Sequence, residues 1–169
     1  QISQLFLLLL LALGLPLLLL PLLSQCSGSA IAQDRTPPYW ATIRQDRAVM
    51  RRGPSTEMRA MWEYHRRGMP MRVIAIIENW RQVQEVDGTI GWMHQSLLSP
   101  QRGAIVTGQR APMRVRPDGT SPIAYVASHG VVGRLGECRD DFCELDVGGR
   151  SGWIAADAIW GEGDANQAG

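Results

Sequence analysis

The chain has 169 residues, 45% of them hydrophobic, with 17 basic and 16 acidic side chains for a net charge of +1. That length admits one ordinary domain or two small ones, and the composition is that of a folded protein rather than a disordered or fibrous one. Every basic residue is arginine, a bias that a GC-rich genome explains, and the acids nearly cancel it, so no nucleic-acid partner is expected.

From Leu5 to Leu23 the sequence is almost unbroken leucine, without a charge and with Pro16 and Pro21 inside it. A polar Ser24-Gln25-Cys26-Ser27 stretch follows, which excludes a buried core helix and leaves a signal peptide or an uncleaved anchor. Ala30-Ile31-Ala32 places small residues at the first and third positions before a cut, so residues 1–32 are read as a cleaved signal peptide. The membrane then enters only through an uncleaved signal segment. The chain opens at Gln1 without a basic segment, so the start of that signal is expected upstream. Cys26 as a lipidation site is disfavoured by Gln25, where a small residue belongs. The expected destination is the periplasm or cell envelope.

Residues 33–43 read as a linker, and beyond them the sequence repeats. Ala48-Val49-Met50-Arg51-Arg52-Gly53-Pro54 is followed by Arg67-Gly68, Trp80-Arg81-Gln82-Val83, Asp87-Gly88 and Gly91-Trp92-Met93. Met113-Arg114-Val115-Arg116-Pro117 is followed by His129-Gly130, Phe142-Cys143-Glu144-Leu145, Gly148-Gly149 and Gly152-Trp153-Ile154. Trp92 and Trp153 lie 61 residues apart (153 minus 92). A unit of that size is a small domain rather than a solenoid repeat, so two domains are expected, 44–99 and 111–161, with a joint at 100–110 and a tail at 162–169.

Each copy reads as short strands. Residues 72–78 are apolar and β-branched, and residues 80–86 mix apolar and polar positions before the Asp87-Gly88 turn. Asp87-Gly88 and Gly148-Gly149 sit where a tight hairpin needs positive φ. Residues 56–67 carry helix-forming side chains, but their counterparts at 121–127 look like strand, so both are read as a loop leading into a strand. Trp92 and Trp153 are read as packing residues that close each barrel. The fold class is all-β, two tandem small barrels.

The order of these motifs resembles the bacterial SH3-like domain family: an opening Val-Arg-x-Gly-Pro, a central turn glycine, a Trp-x-x-Val strand and a closing Gly-Trp-Val/Ile. Met50 to Gly53-Pro54 and Gly91-Trp92 carry it in the first copy, Val115-Arg116-Pro117 and Gly152-Trp153-Ile154 in the second. Cys138, Phe142 and Cys143 are similar to a proteobacterial subgroup with a Cys-x-x-x-aromatic-Cys hairpin. The resemblance implies barrels of five to seven strands and a binding role in the envelope, often towards peptidoglycan or its peptides. The groove that lets eukaryotic SH3 domains hold proline-rich peptides is not recognisable, so that ligand class is not carried over.

Cys138 and Cys143 enclose four residues and lie where a strand, turn and strand would set them opposite each other, so a disulfide is expected in an oxidising compartment. A redox pair wants Cys-x-x-Cys, and a zinc site wants further ligands nearby. His65, His94 and His129 are scattered, and no nucleophile elbow, metal-binding helix motif or phosphate loop is present. Asp140, Asp141 and Glu144 read as a solvated hairpin tip. No catalytic residue, cofactor or metal is therefore expected. The first copy holds nine arginines to six acids over residues 40–99, and its Trp62, Tyr64 and Trp80, with Arg66 and Arg67 to attract carboxylates, form the candidate ligand surface. Peptidoglycan is the leading expected partner and an envelope protein the second; a cryptic wall hydrolase ranks third.

Overall fold

The computed structural model describes residues 35–165. The apolar run, Cys26, the expected cut after Ala32 and the end of the tail at 166–169 lie outside the described residues. The first barrel is built from β1 (Tyr39–Ile43), β2 (Ala48–Arg51), β3 (Ala60–Tyr64), β4 (Pro70–Ile77), β5 (Trp80–Gln84), β6 (Ile90–His94) and β7 (Leu98–Ser99). The second is built from β8 (Gly103–Val106), β9 (Arg110–Arg114), β10 (Ile123–Ser128), β11 (Val132–Arg139), β12 (Phe142–Val147), β13 (Arg150–Ala155) and β14 (Ile159–Trp160). A single 3-10 turn precedes the last strand of each, at Gln95–Leu97 and Ala156–Ala158.

Both sheets are antiparallel, and their strand orders are the same: β3-β2-β6-β5-β4-β1-β7 and β10-β9-β13-β12-β11-β8-β14. The register makes the two copies equivalent residue by residue. Arg51 stands opposite Trp92 as Arg114 stands opposite Trp153, and Val83 opposite Gly91 as Leu145 opposite Gly152.

Alternation along the strands fills two separate cores. Ala48, Met50, Met71, Val73, Val83 and Met93 point into the first, and Ala111, Met113, Leu135, Leu145 and Ile154 into the second. Among the described residues, all sheet pairing and both cores close within residues 39–160, so the chain from Gln33 carries both barrels complete. The predicted turns are in place: Gly88, Gly148 and Gly149 have φ of 87°, 61° and 86°. Residues 56–59 are turn and loop, and Ala60–Tyr64 is strand, as equivalence between the copies requires.

Two segments read as connectors contain strands. The linker at 33–43 contains β1, which pairs with β4 and β7, and the joint at 100–110 contains β8, which pairs with β11 and β14. Each closes its sheet by inserting between two strands of its own copy, so what remains between the barrels is residues 100–102.

The barrels therefore touch. A Cβ on Gly103 would lie 2.5 Å from the Gly68 carbonyl oxygen and 2.8 Å from Thr42 Cγ2. Trp40 and Trp160 meet edge to face with ring centroids 4.7 Å apart. Arg66 Nη1 donates to the Gly130 carbonyl at 2.7 Å, and Thr42 Oγ1 donates to the Gln101 carbonyl at 3.1 Å. Gly161, at φ 117°, has its Cβ position filled by the Gly103 carbonyl, Ala104 and Pro70. Gly161→Ala combines a forbidden backbone conformation with a backbone clash and should cost about 1–3 kcal/mol or more in urea unfolding. Gly163→Ala, also at positive φ but with nothing within 4 Å, should cost less. Equal losses would contradict the packed junction.

Candidate ligand-binding faces

The repeated motif residues build structure first. Gly91 and Gly152 face inward beneath Met50 and Met113, where a Cβ would sit 2.5 Å from Met50 Cγ and 2.9 Å from Met113 Cβ. Because side chains alternate, Trp92 and Trp153 then point outward, and both are only half-buried. The expectation that they close the barrel cores is corrected: Met93 and Ile154 do that. The arginines opposite the tryptophans have a role the sequence reading missed. Arg51 Nη1 donates to the Met58 carbonyl at 2.8 Å and Arg114 Nη1 to the Ser121 carbonyl at 2.6 Å, each pinning the loop that follows its own strand. Gly53 is buried in the first of these loops, against Met58, with Pro54 beside it.

The structure separates the five residues of the candidate surface. Trp62 lies on β3, the sheet edge, opposite Met50 and 59% exposed. Tyr64, two residues on, turns into the barrel mouth, where its hydroxyl donates to Glu85 and contacts Met50 Sδ at 3.7 Å. Trp80 is at the opposite end of β5 from Glu85, packed edge to face on His94. Arg67 does hold a carboxylate, but that of Asp46, through bonds of 2.7 and 2.9 Å. Arg66 is the tether to Gly130 described above. Trp62 is thus the exposed aromatic of the set, while Tyr64 is engaged within the fold.

The second barrel presents the same edge differently. Tyr125, 43% exposed, stands opposite Met113 as Trp62 stands opposite Met50. A register shift interrupts both edge pairs at the same place, between Met50 and Arg51 in one and between Ile123 and Tyr125 in the other. At the Tyr64 position the second barrel has Ala127, and at the Glu85 position Val147. A groove of about 250 Å³ opens there, lined by Met113, Tyr125, Ala127, Val131, Val147 and Arg150.

The expected disulfide is present: Cys138 and Cys143 are cross-strand partners on β11 and β12, with Cys143 buried in the second core. Among the described residues, no group of three His, Cys, Asp or Glu side chains is arranged to hold a metal.

The model of the bacterial SH3 domain family matches residues 44–100 and again residues 107–161. The chain belongs to that family. Each bacterial SH3 copy here has seven strands, and both family matches begin after the first strand of their barrel. Two solved structures, NlpC1 and NlpC2 from Trichomonas vaginalis, are similar over 76% of this chain and 48% and 49% of theirs, at 12% identity and a TM-score of 0.34. The chain spans about half the length of each, and a likeness at that level says nothing of activity. A comparison with curated protein sequences gives no match.

Burial holds the Glu85 carboxyl above its ordinary range; the Tyr64 hydroxyl opposes this and Asp87 reinforces it. Burial also pushes the Tyr64 phenol up, with Glu85 adding to the effect. A raised folded-state value means that the contribution of Glu85 to stability is present below its ordinary 4.5 and lost as pH rises through the folded value. Glu85→Gln keeps an acceptor for Tyr64 without the charge. It should unfold at higher urea than the parent at pH 7, with the difference closing as the pH falls below 4.5; a destabilised variant at pH 7 would contradict the assignment.

Replacing both Cys138 and Cys143 by Ala should lower stability by about 2 kcal/mol, the chain-closure value for so short a loop. Urea midpoints under oxidising conditions measure it, and an unchanged midpoint would show that the hairpin holds its shape without the bridge.

Proposed function

We propose that this bacterial SH3 protein is exported and binds peptidoglycan or its peptides without catalysing a reaction, using the edge-strand faces of its two barrels. The observation that carries this reading is the pair Trp62 and Tyr125, exposed aromatics at equivalent register positions on the edges β3 and β10. An aromatic with an apolar face and a polar tip suits sugar rings and peptide planes, and solvent-exposed rings at one repeated position are not needed by either core. Export is supported by the uncharged leucine run and by Ala30-Ile31-Ala32. A second reading, an envelope protein as partner, draws on Ile123, Tyr125 and Val126, which expose a short apolar strip on β10.

Co-sedimentation of the oxidised chain from Gln33 with purified sacculi, at low and high salt, tests the wall-binding reading. The parent should pellet with the sacculi, the Trp62→Ala, Tyr125→Ala variant should remain in the supernatant, and no soluble muropeptide should be released. A parent that stays in the supernatant at both salts would overturn wall binding and leave the protein partner in front. Release of muropeptides would overturn the non-catalytic part.

A further inference from the structure

The two barrels are internal controls for each other, and at one place they differ in kind. In the first barrel the mouth between β3 and β5 is filled: Tyr64 packs against the core and bonds to the half-buried Glu85. In the second barrel the equivalent pair is Ala127 and Val147. The phenol ring and the carboxylate are both gone, and the groove lined by Met113, Tyr125, Val131 and Arg150 occupies the space. The substitution changes shape and charge together, from a plugged mouth with a carboxyl group to an open one without it.

Arg150 sets the chemistry of what enters. It begins β13 at the groove, is exposed, and makes no ion pair with any described residue, so its guanidinium is available to a ligand there. A groove lined mainly by aliphatic and aromatic side chains, with the Arg150 guanidinium among them, fits an aliphatic side chain whose own carboxylate reaches the arginine. β10 borders the groove and is hydrogen-bonded on one side only, to β9, so an extended chain can lie along its free edge. A peptide C-terminus supplies all three elements: backbone for the edge, a last side chain for the cavity and a carboxylate for Arg150.

We propose that the second barrel alone captures the C-terminal end of a peptide with an aliphatic last residue, with Ala127 leaving room for that side chain and Arg150 holding the carboxylate. The inference deepens the wall-binding reading by naming a ligand chemistry and a barrel. It is read with soluble peptides, so its failure is separate from failure to pellet with sacculi.

The test is a titration of the 15N-labelled chain from Gln33 with acetyl-Ala-Ala-Val bearing a free carboxylate, with its C-terminal amide, and with isovalerate. The free-acid peptide should shift the amides of Val126, Ala127, Val131, Val147 and Arg150, leave those around Tyr64 in place, and bind at least tenfold more tightly than the amide or isovalerate. Arg150→Gln should abolish the preference for acid over amide. Ala127→Leu, which fills the cavity with an aliphatic group, should remove binding, and its spectrum reports directly whether it is folded. Equal binding of acid and amide, equal binding of isovalerate, or shifts centred on the first barrel would overturn the proposal.

Discussion

The close approach of backbone to backbone at Gly103 governs the rest of the molecule. With no side chain there, β8 comes against the Gly68 carbonyl and Thr42 of the first barrel while pairing with β11 and β14 of the second. Gly161 repeats the device from the other end of the second barrel, its backbone lying on Gly103 and beside Pro70. The Trp40 and Trp160 rings cover the junction, and Arg66 ties it to Gly130. Two barrels joined by three residues are thereby placed so that edge strands of both remain uncovered.

Within that frame, what the copies share separates from what they do not. Shared features are architectural: glycine beneath methionine at Gly91 and Gly152, arginine opposite tryptophan, the same arginine pinning the following loop, and positive-φ glycines at Gly68 and Gly130. A surface aromatic at the Trp62 and Tyr125 position is shared although no core requires it. The mouth is unshared, Tyr64 and Glu85 against Ala127 and Val147. Duplication supplies a second barrel that can keep the fold while changing its mouth.

Much of this was legible in the sequence because the repeat preserves order. Strand alternation, turn glycines, two-domain organisation and the cysteine hairpin could be read from residue type and spacing. β1 was not, because five apolar or small residues after Pro37-Pro38 look like the end of a linker, and β8 opens on Gly103 and resembles a turn. The outward direction of Trp92 and Trp153 was implicit in Gly-Trp-Met and Gly-Trp-Ile, where the residues on either side must share one face. The contact of Tyr64 with Glu85 was hidden because it joins residues 21 positions apart, and chain direction carried Trp80 to the other end of its strand. Alignment of the two copies held the remaining signal: a tyrosine matched by an alanine marks a cavity once the register is known.

The measurement that tests the account most directly is 15N spin relaxation on the chain from Gln33. Two barrels held by the Gly103 and Trp40 contacts should tumble with one rotational diffusion tensor that fits strands of both copies. Separate correlation times for residues 39–99 and 103–160 would contradict the packed junction on which the arrangement of the two edges depends.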